Sequence, residues 1–201
     1  MTVETLDNPL DLGRSKRLKA ATGATHERLD TAIMAGKPFA SFTHYGRFLD
    51  VQHGFHREID ALYGEPRLGA LLPDLASRRR LALIVRDMAD IGLTPRDPKE
   101  PPTFADGAAV DLPTALGWLY VAEGSNLGAA FLLKQAEAFG LSSAFGARHL
   151  AAAPEGRGLH WKTFVAVLDA VRLTPEEEAR VIAGAEAAFA RVQGLVRKSF
   201  G

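Results

Sequence analysis

The feature that most constrains this chain is its hydrophobic period. Apolar residues return every three or four positions through most of the 201 residues, and no stretch alternates with period two for long enough to make a strand. Stripes at that spacing gather on one face of a helix and must be covered by other helices. A first helix is predicted over Ser15–Met34, with Leu18, Thr22, Thr25, Leu29 and Ile33 turned inward and Gly36, Lys37 and Pro38 as its stop. A second is predicted over Thr43–Tyr63, its stripe formed by Phe48, Gln52, Phe55, Ile59 and Leu62, with Gly64 as C-cap. A third covers Arg78–Ile91 and stops at Gly92. The proline-rich stretch Thr94–Asp111 reads as a long surface connection. Pro113 opens a long helix that ends at Gly140, residues 142–158 read as irregular, and helices over Leu159–Val171 and Pro175–Phe200 close the chain. Thr174 and Glu177 form a capping box at the start of the last one. The expected fold class is all-α: a single multi-helix bundle over residues 14–201 with about seven helices, preceded by a mobile arm over residues 1–13.

Composition removes several function classes. Lys plus Arg and Asp plus Glu both number 24, so the formal charge is zero and no basic excess points to nucleic acid. With no cysteine, the chain has no disulfide, iron–sulfur cluster, thiolate metal site or cysteine nucleophile. No apolar run is long enough to span a membrane. Residues 1–13 contain Glu4, Asp7 and Asp11 and no apolar signal segment, so a cytoplasmic location is expected. The motifs GxGxxG, GxxxxGK[ST], HExxH, GxSxG and ExxH are all absent, so no nicotinamide, nucleotide, acyl-enzyme or di-iron signature is present.

Three oddities remain. On the first helix, His26 lies on the shoulder of the apolar stripe, and Asp30 follows one turn later on the same shoulder. A carboxylate there can take the ring N–H, directly or through water, and leave the other nitrogen for a metal. Lys19, about 10 Å back along the same face, could meet the acidic edge of a ligand centred on His26. An ordinary half-buried histidine fits the spacing as well. On the long helix, Gly117, Gly124 and Gly128 are costly by roughly 1 kcal/mol each against alanine. Gly124 and Gly128, four residues apart, bare a strip of backbone that suits either a flat ligand or a closely packed helix. On the second helix, Gln52 stands within the apolar stripe and His56 at its edge. Arg80, on the following helix, or ordered water could satisfy them. His53, His44, His149 and His160 follow no pattern and are expected at the surface.

The segments Ala24-Thr25-His26-Glu27-Arg28-Leu29-Asp30, Gly117-Trp118-Leu119-Tyr120 and Glu123-Gly124-Ser125-Asn126-Leu127-Gly128 resemble bacterial haem oxygenases, as do Phe145-Gly146-Ala147-Arg148-His149-Leu150 and Trp161-Lys162-Thr163-Phe164. The likeness runs from residue 14 to 200. It implies an all-α bundle in which haem b (iron protoporphyrin IX) is both cofactor and substrate, opened with O2 to biliverdin, CO and ferrous iron. It implies His26 as the iron ligand with Asp30 as its carboxylate partner, and Gly124 and Gly128 as the backbone over the other haem face. Gln52, His56 and Arg80 match a distal water network, and Lys19 and Tyr120 match positions that seat the propionates. Many members carry Asp after the first distal glycine, where this chain has Ser125. Lys19 and Tyr120 imply the usual haem orientation and the α isomer. An external electron donor, a reductase or ferredoxin, is implied. A non-catalytic haem carrier or sensor would use His26 in the same way. A helical interaction module would bind no haem. A relative working on thiamine-type substrates would need the cysteine this chain lacks.

Overall fold

A computed structural model describes residues 13–96 and 100–201. Seven α-helices lie among the described residues: α1 Arg14–Ala35, α2 Phe42–Ile59, α3 Pro66–Leu71, α4 Leu81–Asp90, α5 Leu112–Ala138, α6 Arg157–Ala170 and α7 Pro175–Phe200. The described residues form no strand beyond isolated bridges from Ser142 to Phe145 and Gly146. The expected arm falls in residues 1–12, outside the described residues, except for Gly13, which caps α1. No helix among the described residues is long and apolar enough to cross a membrane.

Helix α7 is the spine, with α5, α1 and α2 packed along it. Its tightest seam is built from glycine on both sides. A Cβ on Gly117 of α5 would collide with the Val181 carbonyl oxygen, and one on Gly184 of α7 with that of Thr114. Around this seam Leu18, Ile59, Leu119, Leu168, Val181 and Ala188 make one apolar core, while Tyr45, Phe48, Leu49, Ile84 and Met88 make a second between α2 and α4. The capping box Thr174–Glu177 forms as expected. Arg14 fixes the start of α1. Buried, it donates to the carbonyls of Leu168 and Val171 and pairs with Glu178 at 2.6 Å.

Two boundaries differ from expectation, and a short helix lies between them. Helix α2 ends at Ile59 and passes into a 3-10 segment, Asp60–Gly64. Pro66 holds Glu65 extended, which ends that 3-10 segment, and opens the short α3. The third predicted helix loses its first turn: Arg78 closes a 3-10 segment, Arg79 is extended, and Arg80 is the N-cap of α4 rather than a residue within it. The cause is polar, because the Arg78 side chain is drawn inward by buried partners described below. The connection before α5 is tethered, since Thr103 donates from both N and Oγ1 to Glu58 at 2.7 Å and Phe104 enters the core.

Candidate active site

Helix α1 presents His26, Asp30 and Lys19 on its exposed side. The His26 and Asp30 side chains are 57% and 63% exposed, with Nε2 of the ring 3.6 Å from Oδ2. That separation lies just beyond a direct hydrogen bond. The imidazole rests against Phe189 of α7, ring centroids 5.7 Å apart. A single turn spacing and one aromatic wall therefore hold an accessible imidazole beside a carboxylate.

Helix α5 resolves the two readings of its glycines. Gly117 is the packing seam. A Cβ at Gly128 would meet nothing within 4 Å, and at Gly124 only the Trp161 ring at 3.8 Å. No helix backbone approaches that strip among the described residues. Leu127 and Phe131, on the same side of α5, are 44% and 55% exposed. The result is an apolar helix face with a bare backbone floor. Tyr120, one turn before Gly124, leans on Trp161 with ring centroids 5.7 Å apart, and its burial raises the phenol pKa.

Behind that face lies a small polar cavity of about 40 Å³, lined by Gln52, His56, Arg80, Ser125, Asn126 and His149, with Ala129, Leu132 and Leu150. It is roomy and polar enough for ordered water. Thus the structure brings Gln52 and His56 of α2 and Arg80, the N-cap of α4, to one cavity. Three nitrogens on these walls have no partner among the described residues: His56 Nδ1, Arg80 Nε and His149 Nε2. The rest of Arg80 is fixed by donation to the carbonyls of His149 and Ala151. Burial is the main cause that lowers the His56 pKa to about 3, with Arg80 adding to it, so the ring is neutral. Ser125 turns back on its own helix, its Oγ donating to the Ala122 carbonyl at 2.7 Å.

The remaining histidines correct the sequence expectation. His149 and His160 are buried, not exposed, and His44 and His53 are half-buried. His149 is held inside because its Nδ1 bonds Asp87 Oδ2 at 2.8 Å. His160 is held inside between Glu155, 2.7 Å from Nδ1, and Glu123, 3.3 Å from Nε2. Glu123 itself is sealed and meets Arg78 at 2.8 Å, while Arg78 also donates to Asp74 and to the His160 carbonyl. That buried knot fixes the α5 residue immediately before Gly124. Sequence spacing gave no signal for it, or for Asp87 and His149, because each joins residues far apart in the chain. Arg157 adds a clamp by donating to the Asn126 carbonyl at 2.8 Å and to that of Leu150.

The family model described as Heme oxygenase matches residues 13–198. The heme oxygenase PigA of Pseudomonas aeruginosa PAO1 is 42% identical over 187 residues, 93% of either chain. The heme oxygenase of Neisseria meningitidis, solved with NO and CO bound, superposes with a TM-score of 0.88 at 43% identity, covering 94% of this chain and 93% of its own. That of Leptospira interrogans, at 14% identity and covering 93% and 100%, shares the fold with a TM-score of 0.72. The exposed imidazole, the bare glycine strip and the polar cavity sit in a chain that belongs to the haem oxygenase family.

Proposed function

We propose that this protein binds haem b between α1 and α5 and opens it with O2 to biliverdin, CO and ferrous iron. The observation that carries the reading is the floor at Gly124 and Gly128, where two helix-weakening glycines leave open space that no other helix among the described residues fills. A flat apolar molecule with a metal at its centre and carboxylates at its edge fits that floor and the accessible His26 imidazole. Haem supplies the oxygen-binding iron and is also the molecule consumed.

The protein's own residues then have distinct tasks. His26 holds the iron as a neutral imidazole, a weaker electron donor than a thiolate, which suits ring opening over O–O cleavage. Asp30 orients that ring through water. Lys19 and Tyr120 meet the propionates. The backbone at Gly124 and Gly128 lies close over the other face and blocks most approaches to the ring edge. Gln52, His56 and Arg80 hold cavity water that moves protons to that face. With serine at position 125, the buried imidazoles and Arg80 anchor this water, and the Ser125 hydroxyl proton is engaged by Ala122. Electrons come from an external reductase or ferredoxin, since the chain carries no flavin, nicotinamide or iron–sulfur motif.

Lys19 and Tyr120 select the haem orientation that yields the α isomer. Aerobic turnover of the haem-loaded protein with a reductant, followed by chromatography of the product, tests this. The wild type gives α-biliverdin, and Lys19→Ala combined with Tyr120→Phe gives other isomers. A haem band that persists under reductant and air would leave only a haem carrier. A wild-type product other than the α isomer would overturn the assigned orientation.

A further inference from the structure

Asp87, on α4, has a fully buried carboxylate surrounded by donors. Its Oδ1 accepts from the Arg148 amide and guanidinium, each at 3.0 Å. Its Oδ2 accepts from the His149 amide at 2.9 Å and pairs with the ring Nδ1 at 2.8 Å. These bonds, those from His149 first, hold the Asp87 pKa below its ordinary value against the effect of burial. An ionised carboxylate only accepts, so Nδ1 carries the proton. Burial lowers the His149 pKa, so the ring is neutral and its Nε2 is a bare acceptor. That Nε2 is sealed from solvent, has no partner among the described residues, and lies on the wall of the cavity shared with Arg80 and His56.

We propose that Asp87 is a positioning residue: by fixing the His149 tautomer, it makes Nε2 an acceptor that orients the water of this cavity. The inference rests on the haem oxygenase reading of the same cavity. Arg80 brings only N–H donors to the cavity, and His149 brings an acceptor at a fixed place. A water that accepts from Arg80 Nε–H and donates one hydrogen to His149 Nε2 has one hydrogen left. Gln52 and His56 of α2 share the polar wall, and Ser125 and Asn126 belong to α5, the helix assigned to the haem face. The water is thereby pre-aimed as a proton donor, with no reorientation needed during reaction. If Nε2 carried the proton instead, both walls would donate and the water would lose its anchor. The other charged neighbours are Arg148, on the far side of Asp87, and Asp90, which pairs with Arg148.

The test joins nitrogen-15 NMR of the histidine rings in the haem-free protein to turnover of the haem-loaded one. The wild type shows His149 protonated at Nδ1. Asp87→Asn, whose amide can donate to Nδ1, shifts the proton to Nε2 and lowers kcat by about 10- to 100-fold, with haem affinity kept within about twofold. His149→Gln, which leaves Asp87 in place, gives a similar loss of kcat should Asp87→Asn fail to fold. Arg148→Gln removes a neighbour of Asp87 but keeps the pair, and leaves both tautomer and kcat unchanged. Wild-type His149 protonated at Nε2 would overturn the proposal, as would a tautomer switch with unchanged kcat. An Arg148→Gln loss equal to that of Asp87→Asn would make the role merely structural and also overturn it. Absence of haem opening by the wild type is a separate failure, that of the underlying reading, and the inference falls with it.

Discussion

Arg78 and Glu123 meet at 2.8 Å with both side chains closed off from solvent, one residue before the bare backbone at Gly124. The pair ties the 3-10 turn before α4 to the middle of α5 and sets where the glycine floor lies. Removing one member takes the shortest buried partner from the other, leaving Arg78 with Asp74 or Glu123 with His160, so the cost is up to about 3–5 kcal/mol. Glu123→Ala and Arg78→Ala are each expected to lower the unfolding free energy from urea titration by up to that amount, with the midpoint falling and the slope kept. A loss below about 1 kcal/mol for both would show that the pair is solvated and does not hold the helix.

The glycines of α5 should respond in opposite directions. At Gly124 and Gly128 an added methyl meets open space or a ring face at ordinary contact distance. Alanine there gains up to about 1 kcal/mol of helix propensity. Thermal melts of the haem-free protein are expected to rise for both variants while haem occupancy and turnover fall, a trade of function against stability. Gly117→Ala, which drives a methyl into the backbone of α7, is expected to be strongly destabilising. Equal destabilisation at all three positions would mean that α5 is packed on both sides.

The bundle was readable in the sequence because it rests on local pattern. The capping box at Thr174, the long helix after Asp111 and the inward stripe of α1 all follow from spacing within one segment. The breaks at Pro66 and Arg80 were harder to read. The first depends on how one proline restricts Glu65, and the second on where the Arg78 guanidinium finds its partners. The site divides in the same way. His26 and Asp30 share one turn, and Gly124 and Gly128 another, so their pairing is visible without a fold. Asp87 and His149 are 62 positions apart, and Arg78 and Glu123 are 45 apart. Nothing in a single chain's periodicity announces such contacts, which is why His149 and His160 looked like surface residues.

Acid should destabilise the fold through His56. Its folded pKa is near 3 against 6.5 for a free ring. Between those values the unfolded chain binds a proton that the folded chain refuses. The contribution is therefore complete above about pH 6.5 and is lost as pH falls toward 3. His149 acts in the same direction. His160, raised by Glu123 first and Glu155 second, acts oppositely and loses its contribution as pH rises through its folded value. Between pH 7 and pH 5, His56→Gln is expected to lose about 1–2 kcal/mol less stability than the wild type. Parallel urea titrations at the two pH values check this, and identical losses would mean that the ring is protonated in the folded state.

The central claim is that His26 holds the haem iron, and the absorption spectrum of the ferric haem complex tests it most directly. The wild type is expected to show a histidine-ligated spectrum. His26→Ala should lose that spectrum, and added imidazole should restore it by occupying the space the ring leaves. A His26→Ala complex with an unchanged spectrum would contradict the account and place the iron ligand elsewhere in the chain.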